Sequence, residues 1–271
     1  MLEIFTYTFM QRALIAGVFV ASSCAVLGLH LILRRFSMIG EGLAHSSLAT
    51  VALGLLLGLP PSRRVPPSLR LPAFAILYLS ERSAAYGETA VALVSAFSIA
   101  LAVLLASIGK GFSVDLFSYL FGSILAIGEA EVIISVLLSL AIAAAVIIFR
   151  NELFALAYDA DFARTSGVRA GAANRLLALL TGVTVVLAVR VVGTMLVSAL
   201  LVVPPVAALQ LRRGFTSTSI AAALIAAVSV LLGLVLSFLL DLPSGATIVL
   251  IQFGFFALIF LFEKARLGVR K

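Results

Sequence analysis

The segment Met38-Ile-Gly-Glu-Gly-Leu-Ala-His-Ser-Ser-Leu-Ala49 puts a carboxylate, Glu41, four residues ahead of an imidazole, His45. On a helix, residues i and i+4 share one face about one turn apart, so both side chains can reach a single divalent cation. Imidazole nitrogen with carboxylate oxygen suits zinc, manganese or iron, whereas an all-oxygen shell suits magnesium or calcium. Two ligands fall short of the four of a structural zinc site. Water, backbone carbonyls or the same pair from a second copy of the chain would complete the shell. An incomplete shell fits an ion that must enter and leave. The plainer alternative puts Glu41 at a water interface and lets His45 hydrogen-bond a neighbouring helix. His30, the only other histidine and late in the first span, could assist, or could simply be packed and hydrogen-bonded.

The solvent around these residues follows from composition. Of 271 residues, 63% are hydrophobic and 11% charged, and the mean hydropathy is +1.23. Soluble domains are about half apolar and a quarter charged. A chain this apolar is an integral membrane protein, and ionisable groups inside its spans are costly and default to functional readings. Gly40 and Gly42, on either side of Glu41, would permit a broken helix or a close backbone approach at membrane depth.

The net charge of +7 collects at the ends of apolar runs, as Arg34-Arg35, Arg212-Arg213 and the tail from Lys264 through Arg266 and Arg270 to Lys271. That is the positive-inside pattern of membrane topology rather than a nucleic-acid surface. Cys24, the single cysteine, forms no intramolecular disulfide and reads as a small packing residue. The N-terminal MLEIFTYTFMQR lacks a basic region leading to a short apolar core, so no removable signal peptide is expected. No GxxxxGK[ST] loop or HExxH pair occurs, which argues against nucleotide binding by a Walker loop and against an intramembrane zinc protease.

About 20 apolar residues cross a bilayer as a helix. Runs of that kind occupy 13–33, 43–59, 90–108, 132–149, 176–209, 220–240 and 246–262, with a weaker candidate at 71–82. The stretch 176–209 is too long for one span. It is read as two, with Arg190 at a turn near an interface where its long stem can snorkel. The expected fold is an all-α polytopic bundle of eight or nine transmembrane helices in one domain covering residues 1–271. Basic clusters place the C-terminal tail, Arg212-Arg213 and the segment 150–172 in the cytoplasm, and LLDLPSG at 239–245 outside.

Four segments need separate treatment. Residues 59–72, LPPSRRVPPSLRLP, cannot run as a transmembrane helix. An extended external loop, a peculiarity of this strain and a sequencing frame error are the readings they allow. Residues 111–128, GFSVDLFSYLFGSILAIG, suit a re-entrant or half-spanning helix. YDADFARTSGV, from Tyr158 to Val168, is a short charged stretch with Gly167 placed to end a short helix. VGTMLVSALLVVPPV, from Val192 to Val206, joins small residues that favour close helix approach to a Pro204-Pro205 pair. That pair would kink or end a helix and free carbonyls inside the membrane.

Taken in order, LILRRFSMIGEGLAHSSLATVALGLLLG, DLFSYLFGSIL, DADFARTSGV, VVGTMLVSALLVVPPVAA and LDLPSGATIVL resemble the permease family of bacterial ABC importers for zinc, manganese and iron. The resemblance covers nearly the whole chain apart from roughly 59–85. There the segment 59–72 departs from the short loop and complete helix of the family. The resemblance implies a type II importer-like, homodimeric, multi-pass permease of the bacterial inner membrane, not itself an enzyme. Two cytoplasmic ATPase subunits and an external solute-binding protein would be its partners, and it would hold no permanent cofactor, the metal being cargo. The family's acidic residue four before a histidine falls on Glu41 and His45. Glutamate here replaces the commoner aspartate and adds one methylene of reach. DADFARTSGV is similar to the family's coupling segment. Asp159, Asp161, Phe162, Ala163, Arg164 and Gly167 would dock in a groove of the ATPase, with Phe162 as apolar anchor and Asp161 and Arg164 at the polar rim.

Overall fold

A computed structural model of the chain describes residues 6–57, 87–108, 127–159 and 170–268, together with Ala163, Thr165, Gly167 and Val168. The described residues form nine helices and no strand. They are α1 Thr8–Leu33, α2 Ile39–Leu56, α3 Gly87–Ile108, α4 Glu129–Ile148, α5 Arg150–Tyr158, α6 Ala170–Val192, α7 Thr194–Gln210, α8 Phe215–Leu240 and α9 Ser244–Gly268. Six are long and apolar enough to cross a membrane: α1, α3, α4, α6, α8 and α9. The apolar α2 and α7 are shorter, at 18 and 17 residues. The segment 59–72, the weak span at 71–82 and all but the last two residues of 111–128 lie outside the described residues.

α1 is the hub. It packs against α8, α7, α4, α6 and α5. Its inward positions are mostly small (Ala13, Ala16, Gly17, Ala21, Ser23, Cys24, Ala25 and Gly28, all buried). In a bilayer, burial of apolar area does not drive helices together, because lipid tails are as apolar as leucine. Close backbone approach and dispersion do. The outer helices carry the opposite pattern: Leu93, Phe97, Ile133, Leu137, Leu250 and Phe262 stand more than half exposed. Such a surface needs hydrocarbon as its solvent.

The two ends of the bundle differ in chemistry. At one end His30 of α1, Phe215 of α8 and Phe154 of α5 stack edge to face, and Arg34 hydrogen-bonds Asn174 of α6. Arg34, Arg35, Arg150, Arg175, Arg212 and Arg213 therefore gather there, as the positive-inside reading requires. At the opposite end Tyr7 and Phe9 meet Phe238, and Arg12 pairs with Glu129. Most of Glu129 is open to solvent, so this ion pair contributes little, on the order of 1 kcal/mol or less.

The long run 176–209 divides as expected into two helices, but not at Arg190. Arg190 lies in the last turn of α6, and the chain breaks three residues later at Gly193, whose φ is 85°. A left-handed backbone suits glycine because no Cβ meets the following carbonyl. Hydropathy alone pointed to the charge, whereas the backbone turned where sterics were relaxed. α7 then runs through Pro204 and Pro205 to Gln210 rather than ending at them. Gly193→Ala is expected to destabilise the fold by about 1–3 kcal/mol, the strain of a non-glycine residue in that conformation. Thermal unfolding of the detergent-purified protein measures it.

Candidate metal site

α2 begins one helical turn after α1 closes. The Phe36 N–H donates to the Leu31 carbonyl across Arg35, which takes the left-handed φ of 59°, and the chain reverses. Glu41 thus falls in the first turn of α2 and His45 in the second, on one face. The Glu41 Oε1 and His45 Nε2 atoms are 3.6 Å apart. Two atoms bound to one ion at about 2.1 Å in tetrahedral geometry are about 3.4 Å apart, so the pair already stands at a chelating separation. Its members differ in environment: His45 is buried, with 11% of its side chain exposed, and Glu41 keeps 40% exposed. One side chain is enclosed by its neighbours and the other is partly open. His45 Nδ1 is buried with no hydrogen-bond partner among the described residues.

No group of three or more His, Cys, Asp or Glu side chains comes together among the described residues. Among the described residues Glu41 and His45 thus stand as a pair, with no third side chain of these types beside them. The hydroxyls beside it are turned elsewhere. Ser46 donates to the Gly42 carbonyl and meets Ser98 of α3 at 3.2 Å, and Ser47 donates to the Ala44 carbonyl. They tie α2 to itself and to α3.

His30 is not part of the pair. Its ring is 1% exposed, its Nδ1 lies 2.9 Å from the Val26 carbonyl, and its face meets Phe215 edge-on at 5.1 Å. The Val26 carbonyl and the Phe215 ring are its neighbours, and its Nε2 is buried with no hydrogen-bond partner among the described residues. His30→Phe is expected to keep metal uptake within about twofold of wild type, since a ring of similar shape replaces one modest hydrogen bond. Uptake into vesicles reads this directly, and a deep loss would return His30 to the ion path.

The charged stretch after α5 is partly described. Asp159 caps α5 in extended backbone, and its carbonyl accepts the Ala163 N–H at 3.0 Å. The Val168 N–H donates to the Ala163 carbonyl at 3.0 Å across Gly167, at φ 81°. This six-to-one closure ends a helical turn at Gly167, the position expected from sequence. Ala163 is fully buried, and Leu156, Ala170 and Ala173 pack as a small cluster between α5 and α6. Asp161, Phe162 and Arg164 lie outside the described residues. Neither α5 nor its packing against α6 was read from the sequence. The pattern of nine residues with Leu153, Leu156 and Ala157 inward is too short to announce itself.

The sequence model of the ABC 3 transport family matches residues 6–263. The chain belongs to that family. It is 32% identical over 246 residues to a probable metal transport system membrane protein of Treponema pallidum, covering 91% of this chain and 92% of that one. To the manganese transport system membrane protein MntC of Listeria monocytogenes it is 30% identical, covering 94% and 91%. Its fold matches the solved structure of PsaBC from Streptococcus pneumoniae in complex with Fab at a TM-score of 0.82 and 29% identity, covering 95% of this chain and 94% of that one. Membership makes the all-α bundle an ABC transporter permease and a multi-pass protein of the bacterial inner membrane.

Proposed function

We propose that the chain is the membrane-spanning subunit of an importer that takes up a divalent transition metal, zinc, manganese or iron, by alternating access. It works as a homodimer, with ATP hydrolysed on two cytoplasmic ATPase subunits and the ion delivered by a solute-binding protein outside. The observation that carries this reading is the Glu41–His45 pair, 3.6 Å apart on one face of α2 in a protein whose surface demands a bilayer. Manganese, named in the Listeria relative, accepts these donors, as do zinc and ferrous iron.

The pair supplies one nitrogen and one carboxylate, too few to hold an ion permanently. Water or the pair of a second copy completes the shell during passage. An ion with a half-protein shell can be captured and released as the bundle changes shape, because no step removes four strong ligands at once. The turn from Asp159 to Gly167 supports a docking role. Its first residue, Asp159, caps α5 at the arginine-rich end, and the aromatic chain Tyr158–Phe154–Phe215–His30 runs from there toward α1. An ATP-independent carrier would give this segment no task.

Reconstitution tests the reading. Proteoliposomes holding this chain with its ATPase and binding protein should accumulate manganese only when ATP is present. Omitting the ATPase should reduce uptake to background. Accumulation by the chain alone, down a manganese gradient, would instead establish a secondary carrier.

A further inference from the structure

Leu201 of α7 is 1% exposed and lies where α1, α2 and α7 meet. A Cβ added to Gly28 of α1 would stand 1.9 Å from the Leu201 carbonyl oxygen. A Cβ added to Gly40 of α2 would stand 2.3 Å from Leu201 Cδ1. Leu201 is thus clamped at both ends, its backbone against one glycine and its side chain against the other. The carbonyl is also special by sequence. Its helical donor would be the N–H of residue 205, and residue 205 is proline, so that bond cannot form. The α7 backbone is released from its own ladder at the point where it presses on α1.

Gly40 immediately precedes Glu41. We propose that Leu201 is a positioning residue for the metal pair: wedged under Gly40, it fixes the first turn of α2 and so sets Glu41 opposite His45. The inference rests on the proposed role of that pair as cargo ligands. It makes the proline-released segment of α7 the support on which the first turn of α2 rests.

Size-swap variants in the assembled importer test this, with manganese(II) as the probe and KM and kcat for uptake as readouts. Gly40→Ala should raise KM about tenfold with little change in kcat, since small misplacements of a ligand are costly. Adding Leu201→Ala removes the clashing atom and should return KM to within about threefold of wild type, a coupling that independent sites do not show. Gly28→Ala should not be rescued by Leu201→Ala, because its clash is with backbone. If Gly40→Ala does not assemble, Leu201→Ala alone decides: a raised KM with intact ATP hydrolysis supports positioning, and an unchanged KM overturns it. An unchanged KM in an assembled Gly40→Ala, or a double variant no better than the single, also overturns it. His45→Ala separates the two failures. If it transports normally, the reading of the pair is wrong; if it is dead while Gly40→Ala is normal, only the positioning role falls.

Discussion

His45→Ala lowers metal uptake at least about 100-fold while leaving the protein folded: this is the largest effect expected of any single substitution. Groups that merely orient a metal ligand cost 10- to 100-fold when removed, so loss of the ligand itself should reach the upper end or exceed it. The substitution removes a ring whose Nδ1 has no hydrogen-bond partner among the described residues and whose Nε2 lies 3.6 Å from Glu41 Oε1. Folding therefore has little to lose beyond the packing of one side chain. Glu41→Ala should behave alike. Glu41→Asp shortens the reach by one methylene and should retain measurable uptake with an altered preference between manganese and zinc. Radiometal or fluorescent-dye uptake, with ATP hydrolysis measured in the same vesicles, checks all three. Normal uptake in either alanine variant would show the pair to be packing residues.

The second large effect is on stability. A Cβ on Gly233 of α8 would stand 2.4 Å from Ile248 Cγ1 and 2.8 Å from Ile248 Cα on α9. The side-chain atom can rotate away, but the backbone atom cannot. Gly233→Leu must push α8 and α9 apart, and since helices in lipid hold together by close packing, little compensates. A loss of more than about 3 kcal/mol is expected, beyond ordinary overpacking of a core. Gly254→Ala on α9 is the control. Nothing lies within 4 Å of its Cβ, so it should be neutral or stabilise by up to about 1 kcal/mol through helix propensity. Thermal unfolding in detergent compares the two, and equal melting temperatures would contradict the packing argument.

Much of this was legible before any coordinates, for identifiable reasons. Hydropathy reports the solvent around a segment, so the spans of α1, α3, α4, α8 and α9 emerged within a few residues of their ends. The Glu41–His45 pair was legible because helix geometry alone fixes i and i+4 neighbours. What hydropathy does not report is where a long apolar run turns. Charge drew attention to Arg190, and the turn came at Gly193 because that backbone needed a positive φ. Leu201 was invisible for a different reason. An apolar residue in an apolar helix carries no signal, and its meeting with Gly28 and Gly40 joins α7 to two helices far earlier in the chain. Pro205 was the available clue, since the carbonyl it orphans belongs to Leu201. The role of the turn at Asp159–Gly167 rests on family resemblance, because spacing there gives only a short charged loop.

The most direct test of the metal reading is pulsed electron paramagnetic resonance of manganese(II) bound to the assembled importer. The chain has two histidines, so an imidazole nitrogen coupling from this subunit has only two sources. The expected result is a nitrogen coupling that persists in His30→Phe and disappears in His45→Ala. A coupling unchanged by His45→Ala, or one abolished by His30→Phe, would place the ion elsewhere.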